Sequence, residues 1–257
     1  FAVSSNGTKV AQNVENAVRI LMELEAGGGT ISEQATHRVA INDDIQTMLA
    51  LAAEYGGEAM QAYLTTEMTM SVVNKDLRAE GKPPKAGYPA DMIVPRAAKY
   101  LGPKLAAFYA NLTGATGYLT MDLWWTRTIN RYRGDVLPKI SGLKNAVDAK
   151  GRPIGLHRFK HLIGRPDLTD RQALNYATEY AETYARKKYK NGTEAEKAAN
   201  TIHKAANLQL DEQPGGAADR AFMIQVAQAT QAELFRRTDV TYSIADIQAL
   251  IWYYEKR

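Results

Sequence analysis

One lysine and one aspartate, eighteen positions apart, could together act on a nucleotide. Lys104 follows a Gly-Pro turn at the start of a short apolar segment, and Asp122 stands between apolar residues after a loop containing glycine and threonine. A deprotonated lysine amine can attack a sugar carbon and form a Schiff base, and a carboxylate stabilises the positive charge of a breaking glycosidic bond. Desolvation, a helix N-terminus or a neighbouring cation favours the loss of the proton from the amine. These residue types are suited to the cleavage of a glycosidic bond.

Aromatic and basic side chains surround this pair in the sequence. Aromatic rings suit the pocket or wedge around a base that has left its duplex, and the candidates are Tyr118, Trp124 and Trp125. Arginines position a nucleic acid through its phosphates, and the candidates are Arg127, Arg131 and Arg133. Residues 99–160 hold eleven Lys and Arg against three Asp and no Glu, a net charge of +8, whereas the whole chain carries +4. This concentration of charge predicts a nucleic-acid partner.

The stretch 99–134 resembles the active-site segment of the helix-hairpin-helix DNA glycosylases, the group that contains endonuclease III and 8-oxoguanine glycosylase. That family carries a hairpin of the form L-P-G-V-G-x-K-T-A, an apolar helix, and then V-D-T-H-x-x-R-V-x-N-R. The matching residues here are Gly102, Lys104, Ala106, Asp122, Arg127, Asn130 and Arg131. The chain departs from the pattern at Ala98-Lys99, Tyr100 and Leu105, and the resemblance is confined to this stretch.

The resemblance implies a DNA glycosylase with AP-lyase activity, which excises a flipped damaged or modified base. Lys104 would be the nucleophile that forms the Schiff base, and Asp122 would stabilise the charge on the sugar. The residues expected to bind DNA are Gly102, Arg127, Asn130, Arg131 and Arg133. The expected pocket or wedge residues are Tyr118, Trp124 and Trp125. The expected partner is DNA, in duplex form, and no metal or organic cofactor is expected.

Composition excludes several other kinds of site. The chain has no cysteine, which excludes a disulfide framework, a thiolate zinc site and a cysteine-held iron–sulfur cluster, and four histidines supply a metal site poorly. Its apolar runs are shorter than the roughly 18 to 20 residues that span a bilayer, and no signal peptide is visible. We therefore expect no membrane partner and a cytoplasmic location, in a bacterial or phage-infected cell. The first residue is Phe1, so we expect a chain that is either processed or a fragment of a longer polypeptide. The C-terminal ADIQALIWYYEKR resembles segments of large phage-encoded proteins.

The elements that must position the candidate residues are helices. Helical periodicity extends over nearly the whole chain, and no strand pattern of period 2 is visible. Helices are predicted at 58–79, 90–100, 103–113 and 120–133, and Ser243 with Asp246 is a predicted capping pair for the last helix.

The predicted fold class is therefore all-α, with a fold like that of the helix-hairpin-helix glycosylases. Residues 80–89 hold three prolines and two glycines and form the best internal boundary. We predict a single unit over 1–257 with two helical lobes around a basic cleft. The approximate lobes are residues 1–89 plus 169–257, and residues 90–168.

Two other functions fit the same residues. The chain could be a non-catalytic helical module, DNA-binding or structural, of a larger phage or bacterial protein. Lys104 would then be a solvated lysine and Asp122 an ordinary helix N-cap, while the basic stretch could still bind phosphate. It could also be a base-removing toxin or counter-defence enzyme that applies the same chemistry to an unusual base.

Overall fold

The structure, a computed structural model, describes residues 2–5, 10–27, 39–138, 146–186 and 192–256. They are mostly helical, which confirms the predicted class. The helices are α1 (Val10–Ala26), α2 (Val39–Tyr55), α3 (Gly57–Thr65), α4 (Met70–Ala79), α5 (Ala98–Leu112), α6 (Leu123–Arg133), α7 (Gly155–Leu162), α8 (Asp170–Arg186), α9 (Glu194–Ala205), α10 (Ala217–Thr238) and α11 (Ile244–Lys256), with a 3₁₀ turn at Val3–Ser5.

Two short strands interrupt the helices and correct the prediction over 58–79 and 90–100. Strands β1 (Glu67–Thr69) and β2 (Ile93–Pro95) pair antiparallel, with Met68 opposite Val94. Ile93 and Val94 are β-branched and Val94 precedes a proline, which favours extended backbone. Thr69 ends β1 and then caps α4, because its hydroxyl accepts a hydrogen bond from the Val72 N–H at 3.4 Å. The expected single helix over 58–79 is therefore two helices with a strand between them.

The chain divides into two compact units. Unit 1 comprises Phe1–Thr120 and Gly215–Ile247, and unit 2 comprises Met121–Pro214 and Gln248–Arg257. These boundaries differ from those of the predicted lobes, because α5 packs on β2 and α4 within unit 1 while α6 belongs to unit 2. The division therefore falls inside the stretch that carries the candidate residues.

Unit 1 has an apolar core, and residues of the late segment contact this unit through polar groups. Buried side chains of this core are Leu51, Leu64, Met70, Val73, Leu77, Val94, Ala97, Ala98 and Ala106. From α10, the Arg220 guanidinium lies over the Tyr88 ring, with Cζ 4.2 Å from its centroid, and donates a hydrogen bond to the Gly87 carbonyl. Near the start of α11, the Ala245 N–H donates to the Thr116 carbonyl at 3.2 Å. The predicted capping pair is also present, since the Ser243 hydroxyl donates to Asp246 Oδ2 at 2.7 Å.

Unit 2 is built on α7, α8 and α9, which pack on one another. Ala173, Ala177 and Ala181 recur every four residues along α8 and are fully buried, so their small side chains let neighbouring helices approach closely. Phe159 of α7 is fully buried and meets the Tyr180 ring edge-on, with centroids 5.4 Å apart.

A buried histidine makes the stability of unit 2 sensitive to mild acid. His203 of α9 is 1% exposed, and its Nδ1 lies 3.1 Å from the Leu208 carbonyl oxygen. Burial lowers the pKa of His203 from its ordinary 6.5, although the carbonyls of Leu208 and Ala177 act in the opposite direction. The unfolded chain therefore takes up this proton first as the pH falls.

We expect the free energy of unfolding to decrease as the pH falls from about 6.5 toward the lower folded-state pKa, with a slope of up to about 1.4 kcal/mol per pH unit. Urea unfolding measured at several pH values tests this. His203→Phe is expected to flatten the slope, and His157→Asn, at an exposed histidine, should leave it unchanged. Equal slopes in all three proteins would refute a role for His203.

Candidate functional site

A break inside α5 presents Lys104 in the first turn of a new helical segment. Gly102 has φ 77° and ψ 158°, a conformation that is essentially restricted to glycine. Pro103 follows as the first residue of the new segment, where a proline fits because its missing N–H would have no helical partner. Pro103 and Leu105 are buried, whereas Lys104 is exposed. Within the described part of the chain, Lys104 makes no ion pair or side-chain hydrogen bond.

The backbone conformation at position 102, rather than a lack of space, is the reason that glycine is needed there. A Cβ atom added at this position would meet no heavy atom within 4 Å. A larger side chain would therefore have room but would be strained at this positive φ. The turn predicted from Gly102 and Pro103 is present, and it places Lys104 in the first turn of the helical segment that follows.

Asp122 is the N-cap of α6. Its Oδ1 accepts hydrogen bonds from the Trp124 N–H at 3.1 Å and the Trp125 N–H at 2.9 Å. Its extended backbone, with φ −87° and ψ 177°, is typical of an N-cap. The side chain is half-buried, so the cap fixes a carboxylate close to the surface of unit 2. Lys104 lies in unit 1 and Asp122 lies in unit 2.

Both candidate tryptophans are buried in unit 2. Trp125 is 1% exposed, and its indole N–H has no hydrogen-bond partner among the described residues. Trp124 is also buried, and the Arg127 guanidinium lies over its ring with Cζ 4.9 Å from the centroid. A ring that is enclosed by protein cannot stack on a base, so this placement gives the two tryptophans a packing role in place of the expected pocket or wedge role.

Arg127 and Asn130 bind protein groups rather than facing solvent. Arg127 is 1% exposed and forms a hydrogen-bonded ion pair with Glu212. Asn130 is also buried, and its Nδ2 donates to the Asp211 carbonyl at 2.9 Å. These two contacts hold the segment that follows α9 against α6. This correction follows from burial, because an enclosed guanidinium or amide cannot reach a DNA phosphate.

The end of α6 is an exposed part of the matched segment. Gly134 closes the helix in the left-handed conformation, with φ 73°. Arg133 is exposed, donates to Asn130 Oδ1 at 3.1 Å and lies 3.7 Å from Asp135, while Arg131 is half-buried. Tyr132, between the two arginines, is 83% exposed. This ring was not among the residues predicted from the sequence, although the motif Arg-Tyr-Arg was a visible signal for it.

Tyr118 belongs to unit 1 and takes part in its packing. Its hydroxyl donates to Glu67 Oε1 at 3.2 Å, and its carbonyl accepts from Asn111 Nδ2 at 2.9 Å. Burial, together with the charge and the hydrogen bond of Glu67, raises the pKa of Tyr118 to about 12. The phenol therefore stays protonated and acts as a donor.

Ion pairs neutralise part of the basic stretch 99–160. The surface pairs are Lys99 with Glu80, Arg133 with Asp135, Arg152 with Asp148, and Lys160 with Asp170. Lys104, Lys150 and Arg158 are exposed and form no ion pair with any described residue. Lys139 and Lys144 lie outside the described residues. The cations that remain available come from both units.

Over the described ranges, no group of three or more His, Asp or Glu side chains is arranged to hold a metal ion. No helix in these ranges has both the length and the apolar character needed to cross a membrane.

Comparisons with protein-family models, with curated proteins and with solved structures find no match to this chain.

Proposed function

We propose that the chain is a DNA glycosylase with AP-lyase activity, in which Lys104 is the nucleophile. The observation that carries the proposal is the break at Gly102, after which Pro103 opens a new helical segment and Lys104 leaves it exposed. A lysine nucleophile must be reachable by the sugar that it attacks, and the exposed side chain of Lys104 meets this requirement. The resemblance over residues 99–134 supports the same role.

The proposed reaction proceeds in three steps. The bond between C1′ and the base breaks with oxocarbenium character, and the base leaves with the electron pair of that bond and takes a proton from solvent. The resemblance assigns the stabilisation of the positive charge on the sugar to the Asp122 carboxylate. The Lys104 amine adds to C1′, and the sugar ring opens to give a protonated Schiff base. Loss of a proton from C2′ then eliminates the 3′-phosphate and cuts the strand. Asp122 suits this role because its two N-cap hydrogen bonds hold the carboxylate in one orientation.

DNA contacts are assigned to the exposed end of α6. Arg131 and Arg133 would contact phosphates, and the exposed Tyr132 ring between them would stack on a base. Tyr132 takes the aromatic role that was expected of Trp124 and Trp125. Gly102 would allow the backbone of the turn to approach a phosphate closely.

Borohydride trapping tests the lysine. The protein is mixed with a duplex that carries one abasic site, reduced, and analysed on a denaturing gel. We expect a covalent band from the wild type that Lys104→Gln abolishes. Lys75→Gln, at an exposed lysine of α4, is the matched control and should retain the band. No band from folded wild-type protein, or a band that persists in Lys104→Gln, would refute the proposed nucleophile.

Asp122→Asn separates catalysis from folding. Asparagine is as good an N-cap as aspartate, so this variant keeps the start of α6 and removes only the negative charge. We expect it to trap a pre-formed abasic site, since the base is already absent, but to release bases from intact DNA more slowly than the wild type. Unchanged base release would argue against a role for the carboxylate.

A second candidate function is a non-catalytic DNA-binding module. It is favoured by the burial of Trp124, Trp125, Arg127 and Asn130, which shows that much of the matched segment contributes to packing. Its signature would be salt-sensitive DNA binding that Lys104→Gln retains, with no trapped band from the wild type.

A further inference from the structure

Two histidines lie on adjacent turns of one exposed face of α7. His157 and His161 are four residues apart, and side chains at this spacing are neighbours on a helix surface. Their ring centroids are 4.9 Å apart, with an angle of 74° between the ring planes. Both residues are exposed, and neither imidazole forms a hydrogen bond or an ion pair with any residue that the structure describes. The nitrogens of both rings can therefore bind a ligand from solution.

The core of unit 2 holds the backbone of this pair in position. Leu156 and Phe159 of the same helix are 1% and 0% exposed, so their packing determines which face of α7 is turned to solvent. The Lys160 amine donates to Asp170 Oδ1 at 2.9 Å, an ion pair that joins α7 to the first residue of α8. Because the helix is already ordered, a ligand that binds both rings does not have to order the backbone that carries them.

The separation of the two rings suits a shared metal ion. Zinc binds an imidazole nitrogen at about 2.1 Å, which places the ion about 3.2 Å from the centre of each ring. Tetrahedral geometry then sets the two ring centres roughly 5 Å apart, and the observed distance is 4.9 Å. The χ2 torsion of histidine has a broad distribution, so the exposed rings can turn one nitrogen each toward the ion while α7 stays in place.

We propose that His157 and His161 bind a divalent transition-metal ion of the class that prefers imidazole, which comprises Zn²⁺, Cu²⁺ and Ni²⁺. No third His, Asp or Glu of the described ranges joins them, so water or an oxygen of a bound molecule fills the remaining coordination positions. Such a site exchanges its ion, unlike a closed structural zinc site with four protein ligands. A bound ion also bridges one turn of α7 and so stabilises unit 2. The site belongs to unit 2 and Lys104 to unit 1, so it does not depend on the proposed lyase.

Isothermal titration calorimetry of the full chain with ZnCl₂, in a preparation without a polyhistidine tag, tests the site. We expect one ion to bind per chain. His157→Asn and His161→Asn should each weaken binding by about tenfold or more, because either variant leaves a single imidazole. CuCl₂ should bind more tightly than ZnCl₂, following the general affinity order of these ions. MgCl₂ should not bind, because magnesium prefers oxygen ligands.

Two variants that keep the pair are the matched controls. Arg158→Gln, at the exposed position after His157, removes a cation and should bind zinc at least as tightly as the wild type. His37→Asn changes a histidine outside the described residues and should leave the affinity unchanged. Zinc should raise the unfolding temperature of the wild type and of both controls, but not that of His157→Asn. No zinc binding by folded wild-type protein, or equal affinity of the wild type and His157→Asn, would overturn the proposal.

Discussion

Glu212→Ala is expected to destabilise the chain by about 3 kcal/mol, because it leaves the buried Arg127 guanidinium without its carboxylate. The Glu212 side chain is 33% exposed, so water moderates the loss and the estimate lies at the lower end of the range for buried pairs. Urea unfolding followed by far-UV circular dichroism measures the change. Asp167→Ala, which breaks the exposed pair with Arg165, is the matched control and should leave the stability essentially unchanged.

The double variant Arg127→Met with Glu212→Leu shows whether the loss comes from the buried Arg127 charge once Glu212 is removed. Replacing both partners by apolar groups removes the buried cation, so the double variant is expected to be more stable than Glu212→Ala alone. If Glu212→Ala and Asp167→Ala have equal effects, the ion pair does not hold the segment after α9. DNA binding by the same variants tests the DNA-contact role that was expected of Arg127. Arg127 would contact phosphate only if its ion pair with Glu212 were open.

Trp125→Ala is expected to cost about 3 to 5 kcal/mol, since it empties the space of a large side chain that is 1% exposed. Trp125→Phe should stay within about 1 kcal/mol of the wild type, because it retains a ring and removes an indole N–H that has no partner among the described residues. Thermal unfolding followed by circular dichroism measures both. Tyr132→Ala, at an exposed ring in the same helix, should leave the stability nearly unchanged.

The tryptophan series also tests how the aromatic residues divide between folding and DNA binding. We expect Tyr132→Ala to weaken DNA binding without affecting stability and Trp125→Phe to leave DNA binding intact. The opposite result, with stable Trp125→Ala protein that no longer binds DNA, would return Trp125 to the pocket role that the sequence suggested.

Local signals predicted the features that depend on local chemistry. Helical periodicity predicted the fold class, and glycine followed by proline predicted the break before Lys104. An aspartate before the apolar residues of α6 indicated the N-cap. Strands β1 and β2 have only three residues each, too few for an alternating pattern to show, and their pairing joins residues far apart in the chain.

The roles of the arginines could not be predicted in the same way. Arg127 pairs with a carboxylate 85 positions later, and nothing near either residue in the sequence indicates the partner. A row of arginines at helical spacing looks the same whether it faces solvent or protein. Arg127 is buried whereas Arg133 is exposed. This difference depends on how the whole chain packs and cannot be read from the local sequence.

The order of the two units along the chain has a consequence for synthesis at the ribosome. Unit 1 includes residues 215–247, which emerge only after almost all of unit 2 has been made. The buried core of unit 2, by contrast, draws on a continuous stretch from Val136 to Leu208. Unit 2 can therefore build its core before unit 1 acquires α10, and the surface of unit 1 that α10 contacts is open to chaperones and proteases in that interval.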